Sequence, residues 1–278
     1  MKYQVFLPLV TYADPNTEAV AANAAALAAS IGADLHALAI NASIPDVSNA
    51  LAKLLFNVPE MIREAEALSS KRGAHLLRVV KEQASTIGVN VTTSEISAPI
   101  AMLGDVAATH SRYYDLSLLG WEAGNATSRM TAEAVVFGSG RPTILLPELH
   151  STASIDHVAI AWDGSRVAAR AVADARPFLE RATRITVLTV LDEKPLKERD
   201  AGERFGACLR QRGLPAEAAS INAKDRPIAE TLQRRAIENG CKLLVMGGFG
   251  HTRIRDFVLG GATEGVLKDL LLPVLLSH

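Results

Sequence analysis

The chain has few of the residues that build disulfide, metal or nucleophilic sites. Only Cys208 and Cys241 occur among 278 residues, and they form no Cys-x-x-Cys pair. Sparse cysteine is typical of reducing compartments, so we interpret both residues as ordinary thiols. The seven histidines show no metal-ligand spacing such as His-Glu-x-x-His. The sequence therefore predicts no metal site.

Long apolar runs and a strong charge of either sign are absent too. The Ala-rich segment 19–31 is shorter than the roughly 20 apolar residues that a bilayer span needs, and no signal peptide is visible. The net charge of −1 argues against a general nucleic-acid-binding protein. A composition with 49% hydrophobic and 21% charged residues is that of a soluble globular protein. We expect a cytoplasmic protein without a membrane or nucleic-acid partner.

What the sequence does contain is an approximate internal repeat. Each half opens with an apolar strand, at 3–10 and at 157–162, and continues with alternating helices and strands. In the second half we predict a helix to about Arg181 and a strand at Arg184–Val190, and the first half has a long amphipathic segment at about 59–87. The fourth strands match at 114–120 and 241–247, and the ends match at 142–146 and 273–276. A polar linker separates the halves. The repeat predicts two domains, residues 1–149 and 156–278.

Strands written as apolar runs and alternating with helices indicate a parallel sheet covered on both faces. We predict an α/β protein with two tandem doubly wound, Rossmann-like domains, each with five strands and about four helices. An exposed apolar edge strand invites uncontrolled pairing. We therefore expect the halves to pack as an intramolecular pseudo-dimer, partly through the last strands Thr143–Leu146 and Val274–Leu276. A homodimer is compatible with the sequence.

The second half carries a glycine-rich loop between a strand and a helix. The apolar run Leu243–Met246 is followed by Gly247-Gly248-Phe249-Gly250 and, after an interval, by Gly260-Gly261. A strand, a glycine loop and a helix N-terminus form an anion cradle, because free backbone N–H groups and the helix dipole favour negative charge. The half with this loop is also the more cationic, with 19 Lys/Arg against 16 Asp/Glu, whereas residues 1–150 have 10 against 14.

In a doubly wound fold, ligands bind at the carboxyl ends of the strands, where the strand order reverses. That rule gathers the glycine loop, the turn Asp163-Gly164-Ser165 and the loop at Leu191-Asp192. Because the glycine loop follows the fourth strand and not the first, a dinucleotide-binding Rossmann domain is disfavoured. A Walker loop ending in Gly-Lys-Ser/Thr and a Gly-x-Ser-x-Gly elbow are missing as well.

These residues resemble the universal stress protein family in its tandem, two-domain form. The interval Gly247-x2-Gly250-x9-Gly260 has the spacing of the family's nucleotide loop, and Asp163-Gly164-Ser165 matches the family's turn after the first strand. The resemblance implies ATP, ADP or AMP as the ligand, with Mg²⁺ only as the nucleotide counter-ion. It also implies that Asp163 contacts the nucleoside and that Val190 packs near the adenine. The candidate nucleotide-binding residues are Ala161, Trp162, Asp163, Val190, Met246, Gly247, Gly250, His251, Arg253, Gly260, Gly261 and Ala262.

The chain departs from the family pattern in two places. Gly261 stands where a Ser or Thr hydroxyl normally helps to hold phosphate, which removes a hydrogen bond on the order of 1 kcal/mol. In the first half, Trp121-Glu122-Ala123-Gly124-Asn125 breaks the spacing and puts an acidic residue where phosphate would lie. We expect the first half to be a degenerate copy without nucleotide.

Three interpretations of the function stay open. We favour a stress-linked adenine-nucleotide-binding protein with a regulatory or signalling role and no catalytic residue, since no base or nucleophile stands beside a partner. The alternatives are a slow ATPase or adenylate-transferring enzyme, and a module that has lost ATP and binds another small ligand. In structural terms alone, the glycines could merely turn the chain and Asp163 could merely cap a helix.

Overall fold

A computed structural model describes residues 2–45, 57–148, 155–192, 198, 200–224, 226–248 and 261–277. Ten strands in this part of the chain form one sheet. The strands are β1 (Gln4–Val10), β2 (Asp34–Ser43), β3 (Val91–Pro99), β4 (Leu116–Trp121), β5 (Thr143–Pro147), β6 (His157–Ala161), β7 (Arg184–Val190), β8 (Ala216–Ile221), β9 (Leu243–Gly247) and β10 (Val274–Ser277).

The strand order, β3-β2-β1-β4-β5-β10-β9-β6-β7-β8, repeats one topology twice. Within each half all strands are parallel, and β5 and β10 pair antiparallel with Ile144 opposite Leu275. The last strands of the halves thus join two five-stranded sheets into one. The predicted α/β class with doubly wound parallel sheets is confirmed.

Nine α-helices cover the two faces of the sheet in the described part of the chain. They are α1 (Glu18–Ile31), α2 (Val58–Thr86), α3 (Leu103–Ser111), α4 (Ala126–Gly138), α5 (Arg166–Asp174), α6 (Arg176–Leu179), α7 (Ala201–Gln211), α8 (Ile228–Glu238) and α9 (Gly261–Lys268), with a 3₁₀ turn at Ile100–Met102. Strand residues pack against α1, α2, α5, α6 and α7 on one face and against α3, α4, α8 and α9 on the other.

Both core clusters extend across the two halves. The first contains Leu7 and Leu118 from one half with Val158 and Val245 from the other, all fully buried. The central strands β1, β4, β6 and β9 are therefore buried on both faces, as in a covered parallel sheet, whereas the edge strands β3 and β8 are largely exposed or half-buried. One predicted helix, continuing to about Arg181, is instead divided at Ala175 into α5 and α6, because Pro177 removes a backbone donor.

Candidate functional site

The second half has its switch point between β6 and β9. The strand order there is β10-β9-β6-β7-β8, so the chain leaves β6 toward one side and β9 toward the other. Ile160 pairs with Val245 in the parallel ladder, which brings the ends of the two strands to the same edge of the sheet. Such an edge forms a crevice for a ligand. We call it the β6–β9 crevice.

The turn after β6 is built by Asp163. Its Oδ1 accepts a hydrogen bond of 2.9 Å from the Ser165 N–H, and Gly164 takes a φ of 72°. The Ser165 hydroxyl then accepts from the Ala168 N–H at 3.2 Å and caps α5. The helix cap is therefore Ser165 and not Asp163. A Cβ at Gly164 would meet no atom of the described residues within 4 Å, so these residues leave room on the outer side of the turn.

Gly247 ends β9 where the first turn of α5 crosses it. A Cβ there would lie 2.6 Å from the Val167 carbonyl carbon and 2.7 Å from the Ala168 nitrogen. Only glycine lets the strand and the helix approach this closely. The next residue, Gly248, donates its N–H to the Ser277 carbonyl oxygen at 2.7 Å. The predicted Met246 is buried, with 4% of its surface exposed.

The end of β7 supplies Val190 and a carboxylate that was not among the candidate residues. Val190 is buried opposite Ile221 of β8. Asp192 accepts from the Ala223 N–H at 2.7 Å and from the Lys224 N–H at 3.0 Å. The backbone donors, that of Ala223 foremost, hold the pKa of Asp192 below its usual value. An acidic residue directly after a strand was the sequence signal for this bond.

Trp162 turns its ring away from the glycine strand. The ring stacks on Phe205 of α7 at a centroid distance of 3.8 Å and an interplanar angle of 8°. Both rings lie in an open groove of about 630 Å³ that also contacts Val172 and Leu209. The structure thus gives the side chain of Trp162 a packing partner within the second half.

The remaining candidates divide into two groups. Gly261 opens α9 and Ala262 packs half-buried against the core, so the predicted helix begins where the second glycine pair was expected. Gly250, His251, Arg253 and Gly260 lie outside the described residues. Of the twelve candidates, the fold brings Ala161, Asp163, Met246 and Gly247 to the β6–β9 crevice.

The first half fills the corresponding crevice with its own side chains. Phe6 pairs with Ser117 in the first half, and Ala159 pairs with Leu244 in the second, so Phe6 corresponds to Ala159. Four residues further along each chain segment, Val10 corresponds to Asp163. The same register puts Trp121 at the position of Gly248, and Trp121 is buried with 4% exposed. Residues 122–125 connect β4 to α4, whereas residues 248–260 connect β9 to α9.

Glu148 completes this filling. Its Oε1 accepts from the Asn16 side-chain amide at 2.7 Å, and its Oε2 accepts from the Thr17 N–H at 2.8 Å at the start of α1. The residue is 2% exposed. A carboxylate of the chain itself therefore occupies the helix N-terminus, the kind of position where anions bind.

The long helix α2 covers the carboxyl end of β2. The Ser69 hydroxyl lies 2.6 Å from the Thr11 hydroxyl and accepts from the Ala42 N–H at 2.8 Å. Thr11 and Ser69 are both fully buried. In the second half the shorter α7 occupies the corresponding place in the fold. The carboxyl ends of β1 and β2 are thus closed by internal hydrogen bonds.

The described residues contain neither a candidate metal site nor a candidate membrane span. No three His, Cys, Asp or Glu side chains there are grouped so that they could hold a metal ion. No helix in the described ranges is long and apolar enough to cross a membrane. Cys208 is exposed and Cys241 is buried, and burial raises the pKa of Cys241 to about 11.

Comparison with known proteins relates both sequence and fold to one family. Residues 154–278 match the model of the universal stress protein family. The whole chain resembles the crystal structure of a universal stress protein from Archaeoglobus fulgidus, with a TM-score of 0.71, 15% identity, and coverage of 99% of this chain and 98% of that one. A putative universal stress protein from Pseudomonas aeruginosa gives a TM-score of 0.55, 14% identity, and coverage of 99% and 93%. A search among curated proteins gave no match.

Proposed function

Since residues 154–278 match the model of the universal stress protein family, we propose that the second half binds an adenine nucleotide, ATP in the first place, in the β6–β9 crevice. This match supports a stress-related role, and we assign the chain a regulatory or signalling part in it. The proposal includes Mg²⁺ as the nucleotide counter-ion, a cytoplasmic location and the division into domains 1–149 and 156–278.

The observation that carries the proposal is the difference between two equivalent crevices. At the position of buried Trp121 the second half has Gly248, and a Cβ there would have the Ser277 carbonyl oxygen, at 3.4 Å, as its nearest neighbour among the described residues. At the position of Val10 it has Asp163, a carboxylate at the mouth of the crevice. Small residues and one polar group at a switch point fit a nucleotide.

Asp163 can act on the ligand as well as on its own turn. One oxygen, Oδ1, accepts from the Ser165 N–H. Because a carboxylate has about four acceptor positions, we assign Asp163 a second role toward the hydroxyl groups of a ribose. Val190 contributes apolar surface at the end of β7. The phosphates are assigned to the glycine loop and to the start of α9, on the strength of the sequence spacing and of the helix dipole.

Calorimetric titration with ATP, ADP and AMP tests the proposal. We expect Gly250→Val and Asp163→Ala each to weaken ATP binding at least about tenfold, because each removes a contact made by the bound nucleotide. Asp163→Asn keeps an oxygen for the Ser165 N–H and should weaken binding less. No heat with any nucleotide at millimolar concentration would refute the proposal.

The matched control is Glu122→Gln in the first half, where affinity should stay within about twofold of the unmodified protein. Gly124→Val is a poor control, because Gly124 has a φ of 82° and any side chain there is strained. Equal losses in the control and in the second-half variants would mean that both halves form the site.

A further inference from the structure

A second cavity lies at the far edge of the sheet, between the end of β8 and α8. It has a volume of about 370 Å³. We call it the β8–α8 pocket. The strand β7 separates β8 from β6 and β9, so this pocket is distinct from the β6–β9 crevice. Its residues were not among the candidates drawn from the sequence.

Four cationic side chains line the β8–α8 pocket: Lys224, Arg226, Arg234 and Arg235. Arg234 Nε bonds to Glu230 Oε1 at 2.7 Å on the same helix, and Arg235 Nη1 lies 3.3 Å from Glu238 Oε2. Among the described residues, no carboxylate forms an ion pair with Lys224 or Arg226.

The nearby Asp192 carboxylate attracts Lys224 but binds the backbone N–H groups of Ala223 and Lys224. Glu238 is the acidic residue among the described residues that line the pocket. Among these described residues, positive charge exceeds negative charge on the pocket wall.

The open edge of β8 borders this pocket. The Ile221 carbonyl accepts from the Leu191 N–H at 3.0 Å, so Ile221 turns its backbone toward β7. By alternation, the backbone of Ser220 and Asn222 turns away from β7 to the open edge of the sheet. Both residues line the pocket.

The first half lacks this arrangement. Pro227 precedes α8 as Pro99 precedes the 3₁₀ turn before α3, and this alignment puts Val106 and Ala107 at the positions of Arg234 and Arg235. Lys224 and Arg226 fall in an insertion, because β8 and β3 have their ends at different distances from these prolines. The cationic side chains of the pocket are therefore specific to the second half and do not follow from the fold that the two halves share.

We propose that the β8–α8 pocket binds a small anion that carries two or more phosphate groups. Arginine guanidinium groups match phosphate oxygens with two parallel hydrogen bonds, and several arginines around a concave wall favour a multiply charged ligand. The outward backbone N–H groups of Ser220 and Asn222 are uncharged donors beside these cations. The proposal does not depend on ATP binding in the β6–β9 crevice.

The test is a calorimetric titration with inorganic tripolyphosphate at physiological ionic strength. It is made throughout in the Gly250→Val background, which removes the competing glycine loop. We expect binding at one site per chain. Arg226→Gln combined with Arg235→Gln should weaken it at least about tenfold, because two charge-assisted contacts are lost. Arg226→Lys combined with Arg235→Lys should weaken it less, since charge is kept and only the paired geometry is lost.

The matched control is Arg170→Gln combined with Arg176→Gln, which removes two exposed arginines that form i,i+4 pairs on the other face of the sheet. Its affinity should stay within about twofold. The absence of binding overturns the proposal. So does unchanged binding in the Arg226/Arg235 glutamine variant, or an equal loss in the control, which would indicate a general charge effect.

Discussion

The two halves share a strand order but end their central strands with different chemistry. In the first half, Trp121 and Glu148 fill the space above β1 and β4, and Ser69 closes the end of β2. In the second half, Gly248 and the turn at Asp163 stand at the matching positions. Under the proposed function, the first half keeps the fold and has internal packing where the second half has its ligand site, because function lies in sites that a fold carries and not in the fold itself.

Glu148 illustrates this replacement most directly. Its carboxylate occupies the N-terminus of α1, and Asn16 links it to β1 by accepting the Val10 N–H at 2.8 Å. In the second half the corresponding helix, α5, is capped by the neutral hydroxyl of Ser165. The first half thus places a buried carboxyl group of its own where the second half has a hydroxyl cap.

The largest effect is expected from adding a methyl group at Gly247. In Gly247→Ala the new carbon meets backbone atoms of α5 at 2.6 and 2.7 Å, so strand and helix must separate. We expect a loss of about 3 kcal/mol in the free energy of unfolding, measured by urea denaturation. The matched variant Gly120→Ala meets the ends of the Glu148, Asn16 and Val20 side chains, which can shift, and should lose less. Equal losses in the free energy of unfolding would contradict the distinction between backbone contact at Gly247 and side-chain contact at Gly120.

A smaller loss, about 2 kcal/mol, is expected for Glu148→Ala, because Asn16 and the Thr17 N–H lose a buried partner. Glu148→Gln keeps an acceptor and should lose about half as much. Urea denaturation measures both values. In the Glu148→Ala background, Gly120→Ala should cost less than it does alone, since the two residues are in contact. Full additivity of the two losses would contradict a shared contact.

The smallest expected effect is a difference in acid sensitivity between the backbone amides at the end of β8 and the Ala42 amide in β2. The pKa of Asp192 is lower in the folded than in the unfolded chain, so its contribution to stability is complete above a pH of about 4 and is lost as the pH falls through the folded value. Hydrogen exchange should show the amides of Ala223 and Lys224 losing protection over that range. The Ala42 amide, held by the Ser69 hydroxyl, has no titrating partner and serves as the control. Asp192→Asn should remove the difference; a difference that persists would contradict the assignment.

Much of the fold could be predicted from the sequence, because apolar strand runs and the repeat are local patterns. β7, Arg184–Val190, was predicted at its observed bounds, and the long helix at 59–87 differs from α2 by one residue at each end. Asp163 and Gly247 were among the predicted site residues, but the contacts that they make within the fold were not predicted. The cap formed by Ser165 and the contact of Gly247 with α5 depend on where a helix crosses a strand. Such crossings depend on tertiary packing and leave no local pattern in the sequence.

Glu148 and the β8–α8 pocket could not be predicted for a similar reason. Glu148 meets Asn16 across 132 positions of sequence, and no local pattern marks the pair. The arginines of the pocket come from a loop and a helix whose charges look like ordinary solvated groups when read in sequence. Their common cavity exists only after β8 and α8 have packed.

The number of ATP molecules bound per chain tests the central comparison most directly. Calorimetric titration of the full chain carrying Arg226→Gln and Arg235→Gln, which weaken triphosphate binding in the β8–α8 pocket, gives this number at a protein concentration above the dissociation constant. The account predicts one ATP per chain, with Gly250→Val weakening that binding at least about tenfold and Glu148→Gln leaving the number at one. Two ATP molecules per chain, or unchanged affinity in Gly250→Val, would contradict the assignment of the nucleotide to the second half.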